Sequence, residues 1–78
     1  MAKEYLLRQF GSRLKGLRGE RGMSQEALAG ICGLDRTYIS GLERGVRNPS
    51  LTCIVRVAIG LNIGAEELIK GFDSDYEN

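Results

Sequence analysis

Residues 24–45, SQEALAGICGLDRTYISGLERG, decide the fold. Ser24 has a hydroxyl suited to receive a free N–H at the start of a helix. Gln25 and Glu26 follow, and Glu26 puts negative charge where the helix dipole favours it. The helix predicted from there turns Leu28, Ala29 and Cys32 inward. It stops at Gly33, because glycine takes the left-handed conformation without a Cβ clash. Leu34 then plugs the core, and Asp35 caps a second short helix that runs to about Arg44 with Ile39 and Leu42 inward, ended by Gly45. Two short amphipathic helices joined by a tight glycine-containing turn leave the amino-terminal end of the second one projecting from the body.

The flanking sequence supplies the scaffold. Upstream, Leu6, Phe10, Leu14 and Leu17 recur at spacings of four, four and three, which builds one apolar stripe on a helix from Lys3 to about Arg21, closed by Gly22. Gly11, Gly16 and Gly19 lower its intrinsic propensity, so tertiary packing must hold it. Downstream, residues 46–49 form a loop, and Ser50 caps a fourth helix whose inward face is predicted as Leu51, Ile54, Val57, Ala58 and Leu61. Asn62 takes the left-handed closing position. A short fifth helix is expected from Ala65 to about Lys70. The fold is therefore predicted as all-α, five helices around one core over residues 1–72, with a short acidic tail at 73–78.

Composition narrows the function. A chain of 78 residues makes one domain near the lower size limit for a self-sufficient core, so dimerisation would be a natural supplement. Cys32 and Cys53 lie in stretches expected to be buried, and the chain has no histidine. They are assigned to the core, and no metal site or cofactor is expected. With no signal peptide and no apolar run near the ~20 residues of a membrane span, a cytoplasmic protein without a membrane partner is expected. The net charge of +1 conceals an asymmetry: the segment through Pro49 is basic, whereas beyond it Arg56 and Lys70 face Glu66, Glu67, Asp73, Asp75 and Glu77.

The chain resembles the phage-repressor and Cro-type (XRE-like) helix-turn-helix family, from LRGERGMSQEALA through GLDRTYISGLERGVRNPSL to AIGLNIGAEEL. Its length and the DRTYIS…ERGVRNPS stretch look most like the small controller proteins of restriction-modification systems. The resemblance implies a five-helix, lambda-repressor-like DNA-binding domain with the helix-turn-helix at the second and third helices. It implies a transcriptional regulator that binds double-stranded DNA as a homodimer on a palindromic operator. RNA polymerase would be a further partner if the protein activates.

The same resemblance implies roles for individual residues. Arg36, Thr37 and Ser40 would reach bases, since arginine can donate two bonds to guanine and threonine offers a hydroxyl and a methyl. Ser24, Gln25, Tyr38, Arg44, Arg47 and Asn48 would hold phosphates. Gly41 stands where relatives place a reading side chain, so DNA shape is expected to carry more of the specificity. Arg18 and Glu43 match a buried ion pair, whereas Arg13, Lys15 and Arg21 are expected on solvated faces. Val55, Ile59, Ile63, Ile69 and Phe72 do not fit a monomer core and, by resemblance, mark the two-fold interface.

Enzymatic activity is not expected. The sequence offers no histidine, no nucleophile–base pair and no phosphate-binding glycine loop. The competing expectation is a protein-interaction module, antitoxin-like or an adaptor, built on the same fold and supported by the near-neutral charge.

Overall fold

Four α-helices follow one another in the computed structural model, which describes residues 3–72: α1 (Lys3–Glu20), α2 (Gln25–Cys32), α3 (Arg36–Glu43) and α4 (Leu51–Leu61). A 3-10 helix, Ala65–Leu68, follows them. No strand occurs among the described residues, and the tail expected at 73–78 lies outside them.

The local chemistry sets the helix ends. Ser24, Asp35 and Ser50 adopt extended backbone, and their side chains accept from the N–H groups of Ala27, Thr37 and Cys53. Gly33 (φ 69°) and Asn62 (φ 60°) take the left-handed conformation that terminates α2 and α4. The fifth element differs from expectation. It spans four residues, has 3-10 geometry and starts at Gly64, which supplies no side-chain cap. Such a segment cannot develop the i→i+4 ladder of an α-helix.

One core joins the elements: Phe10 and Leu14 of α1, Leu28, Ala29 and Cys32 of α2, Ile39 and Leu42 of α3, Cys53, Val57, Ala58 and Leu61 of α4, and Leu68. Both cysteines are buried and unpaired. Burial, with a smaller effect from Cys53 that Arg56 opposes, raises the pKa of the Cys32 thiol above its ordinary value. It therefore stays protonated at neutral pH. Glycine permits two close helix contacts. A Cβ at Gly11 would meet the carbonyl oxygens of Leu42 and Glu43 at the end of α3, and one at Gly60 would lie 2.7 Å from the Cys32 sulfur.

Leu51 corrects the predicted core of α4, because it is 78% exposed. At about 100° per residue, Leu51, Val55 and Ile59 share one narrow arc, while Cys53, Ile54, Val57, Ala58 and Leu61 occupy the next. The core takes the second arc. Val55, Ile59 and Ile69 are exposed as expected, but Ile63 and Phe72 pack against the core.

Two arginines expected on solvated faces are engaged. Arg13 donates to the Glu67 backbone carbonyl and also pairs with the Glu67 carboxylate at 3.2 Å, tying α1 to the 3-10 helix. Arg21 donates to the carbonyl of Leu61 at 2.6 Å, placing a cation at the negative end of α4.

Candidate nucleic-acid interface

The sequence of α3, RTYISGLE, divides its surface. Ile39 and Leu42 point into the core, leaving Arg36, Thr37, Ser40 and the capping residue Arg44 on an arc of about 100° facing outward. Arg36, Thr37 and Arg44 are exposed and Ser40 is half-buried. Asp35 acts as the N-cap, its carboxylate accepting from the Thr37 N–H at 3.3 Å.

A network beneath this surface fixes α3 against α1 and α2. Arg18 donates to Glu43 through Nε at 2.6 Å and through Nη2 at 3.0 Å, while its Nη1 donates to the Met23 carbonyl at 2.6 Å. Gln25 Nε2 completes the arrangement with a 3.0 Å bond to Glu43 Oε1. Burial alone would raise the Glu43 pKa. Hydrogen bonds from Arg18 and Gln25, with the Arg18 and Lys15 charges, outweigh it and hold the carboxyl below its ordinary value. The Arg18 pKa is correspondingly raised, chiefly by its bond to Glu43.

The candidate phosphate ligands are placed unequally. Ser24 is exposed at the start of α2. Its oxygen is occupied as a cap, but its hydroxyl hydrogen can still be donated. The Gln25 side chain is committed to Glu43, so its share of an anion site is the backbone at the helix start. Arg44, Arg47 and Asn48 are exposed at the end of α3 and in the following loop. Tyr38 is half-buried against the core. Burial first, then the neighbouring Cys53 thiol, push the Tyr38 phenol above its ordinary pKa, with Arg47 opposing.

Gly41 alters the expected picture. The gap left by its missing side chain is filled, because Arg47 lies across it: a Cβ there would sit 2.7 Å from Arg47 Cγ. The Arg47 guanidinium lies 5.8 Å from the Tyr38 ring centroid, within reach of a cation–π contact. Nothing in the spacing of Gly41 and Arg47 announces this pairing. It depends on the path of the loop after Gly45 (φ 77°).

Known proteins place this architecture. The helix-turn-helix family model matches residues 14–68, from the middle of α1 through the 3-10 helix. The chain belongs to the helix-turn-helix family. Among its helix-turn-helix relatives, control protein C.MunI from Mycoplasma sp. is 41% identical over 68 residues, spanning 86% of this chain and 92% of that protein. The crystal structure of the restriction-modification controller protein C.AhdI from Aeromonas hydrophila superposes with a TM-score of 0.79. It is 52% identical and covers 80% of this chain and 94% of its own. A third, the controller protein C.Esp1396I, was solved as a tetramer with its natural 35 base-pair operator. It is 34% identical with a TM-score of 0.80, covering 95% of this chain and 97% of its own. Among the described residues no helix is long and apolar enough to cross a membrane.

Proposed function

We propose that this helix-turn-helix chain is a sequence-specific transcriptional regulator that binds double-stranded DNA as a homodimer on a palindromic operator, in the manner of restriction-modification controller proteins. The observation that carries this reading is the outward arc of α3, where Arg36 and Thr37 stand exposed at the helix start on a scaffold shared with a controller protein solved on its operator. In the major groove, Arg36 would donate to a guanine and Thr37 would touch a neighbouring base, with Ser40 one turn further on. Ser24 and the start of α2 on one side, and Tyr38, Arg44, Arg47 and Asn48 on the other, would grip phosphates and set the register. The relatives being control and controller proteins supports regulation rather than catalysis.

Arg36 separates this function from a protein-interaction module on the same fold. Arg36→Ala is expected to weaken binding to a selected operator by about 1–3 kcal/mol per half-site and to relax base preference there, while leaving the unfolding midpoint unchanged. Fluorescence anisotropy across a salt series measures both the affinity and its steep ionic dependence. Salt-insensitive binding, or an Arg36→Ala variant with full affinity and selectivity, would sink the assignment.

The dimer surface follows from the apolar residues that the core leaves outside. Leu51, Val55 and Ile59 line one face of α4, with Ile31 (60% exposed) packed beside Gly60 and Ile69 (48% exposed) beyond the 3-10 helix. Exposed large apolar side chains on so small a monomer support an association surface here. Ile63 and Phe72, which the core partly covers, would support this face rather than form its centre. Ile59→Glu is expected to give a monomer in sedimentation velocity at tens of micromolar, and to lose operator affinity because one recognition helix reads too few base pairs. A variant that still sediments as a dimer would move the interface elsewhere.

A further inference from the structure

Gly41 is costly in a helix and has no backbone reason to be there. It lies inside α3 without positive φ, where glycine has lower intrinsic propensity than alanine. What its missing side chain does is admit Arg47. A Cβ at this position would lie 2.7 Å from Arg47 Cγ, 3.5 Å from Nε and 3.7 Å from Cδ, so the arginine stem runs flat over the bare helix.

The loop is held in the path that brings Arg47 there. Gly45 reverses the chain in the left-handed conformation, and the Val46 N–H donates to the Gly41 carbonyl at 3.0 Å. Arg47 is the next residue. Its guanidinium comes to rest beside Tyr38, whose ring is itself wedged against the core. A long, entropy-rich side chain thereby has a resting place on α3 before any ligand arrives.

We infer that Gly41 is a positioning residue for DNA recognition: by having no side chain it seats Arg47 across α3, so that the loop arginine and the recognition helix present one preformed surface. This rests on the DNA-binding function proposed above. Arg47 supplies the contact and Gly41 supplies its place.

The test uses the full chain and a duplex that the wild-type protein enriches from a random pool. Gly41→Ala is expected to keep or raise the unfolding midpoint, since alanine favours the helix and the displaced stem is free to move into solvent. Its affinity for that duplex is expected to fall about tenfold, and the slope of log affinity against log salt to become shallower by about one per protomer. Arg47→Ala should lose as much, and the double variant no more than either single one. In the free protein, the Arg47 side-chain resonances, shifted by the Tyr38 ring, should move toward their unstructured positions in Gly41→Ala.

Two results overturn the inference alone. One is a Gly41→Ala variant with unchanged affinity and salt slope. The other is a Gly41→Ala penalty that persists undiminished in the Arg47→Ala background, which would mean that the alanine acts on DNA directly. A wild-type chain that enriches no duplex overturns the DNA-binding function and this inference together.

Discussion

Arg18→Ala is expected to remove about 1–3 kcal/mol of folding stability at neutral pH, because it strands the Glu43 carboxylate in a part-buried site without its main hydrogen-bond partner. The Glu43 side chain is only 3% exposed and that of Arg18 15%, and Arg18 supplies two of the three hydrogen bonds to the Glu43 carboxylate. With arginine gone, Gln25 remains as a neutral donor beside a buried charge. A domain of this length has roughly 4–12 kcal/mol of stability at the typical ~0.05–0.15 kcal/mol per residue, so the loss is a large fraction of the total.

The pH dependence separates this mechanism from a simple loss of packing. In the wild type the Glu43 pKa is lowered on folding, so its contribution is complete above the ordinary glutamate pKa of about 4.3 and is lost as pH falls through the lower folded value. In Arg18→Ala only Gln25 and the Lys15 charge oppose burial, so the carboxyl moves up from its position in the wild type. The resulting destabilisation is largest at neutral pH and is relieved as the group takes up its proton. Urea denaturation at pH 7 and pH 4 should therefore show a gap between variant and wild type that narrows in acid. A gap below about 1 kcal/mol at pH 7, or one of equal size at both, would show that the pair does not hold α3 in place.

The features visible in the sequence and those hidden from it differ in physical range. Ser24, Asp35 and Ser50 act on N–H groups two or three residues away, and Gly33 and Asn62 set only their own dihedral angles, so their roles are local and legible. The outward arc of α3 is equally legible, because a helical period places Arg36, Thr37 and Ser40 opposite Ile39 and Leu42. Leu51 is ambiguous in the sequence, since an apolar residue at a helix start suits either of two adjacent arcs. Its spacing of four from Val55 and of eight from Ile59 places it on the exposed one. The partners of Arg13 and Arg21 lie 54 and 40 residues away, and no local pattern names them. The side chain that Gly41 lacks is plain in the sequence, but what fills the space comes from the loop beyond α3.

Gly11 shows how much one such long-range contact can control. Gly11→Ala is expected to destabilise the fold by about 3 kcal/mol, at the upper end of what overpacking costs. The new methyl group would press on the Leu42 carbonyl oxygen and lie 2.5 Å from that of Glu43 and 2.8 Å from the Glu43 carbonyl carbon. These are backbone atoms in the last turn of α3, so no rotamer change relieves the clash, and α1 and α3 must part. Gly16→Ala is the matched control. It lies in the same helix with nothing within 4 Å of the added Cβ, and there alanine should stabilise by about 0.5–1 kcal/mol through helix propensity alone. Opposite shifts of the thermal midpoint in the two variants are therefore expected, and shifts of the same sign would refute the close approach. Because Glu43 sits at the point of separation, Gly11→Ala should also loosen the Arg18–Glu43 bonds and tilt α3. At temperatures where the variant is still folded, its operator affinity should fall even though Gly11 belongs to α1 and is not among the groove-facing residues of α3.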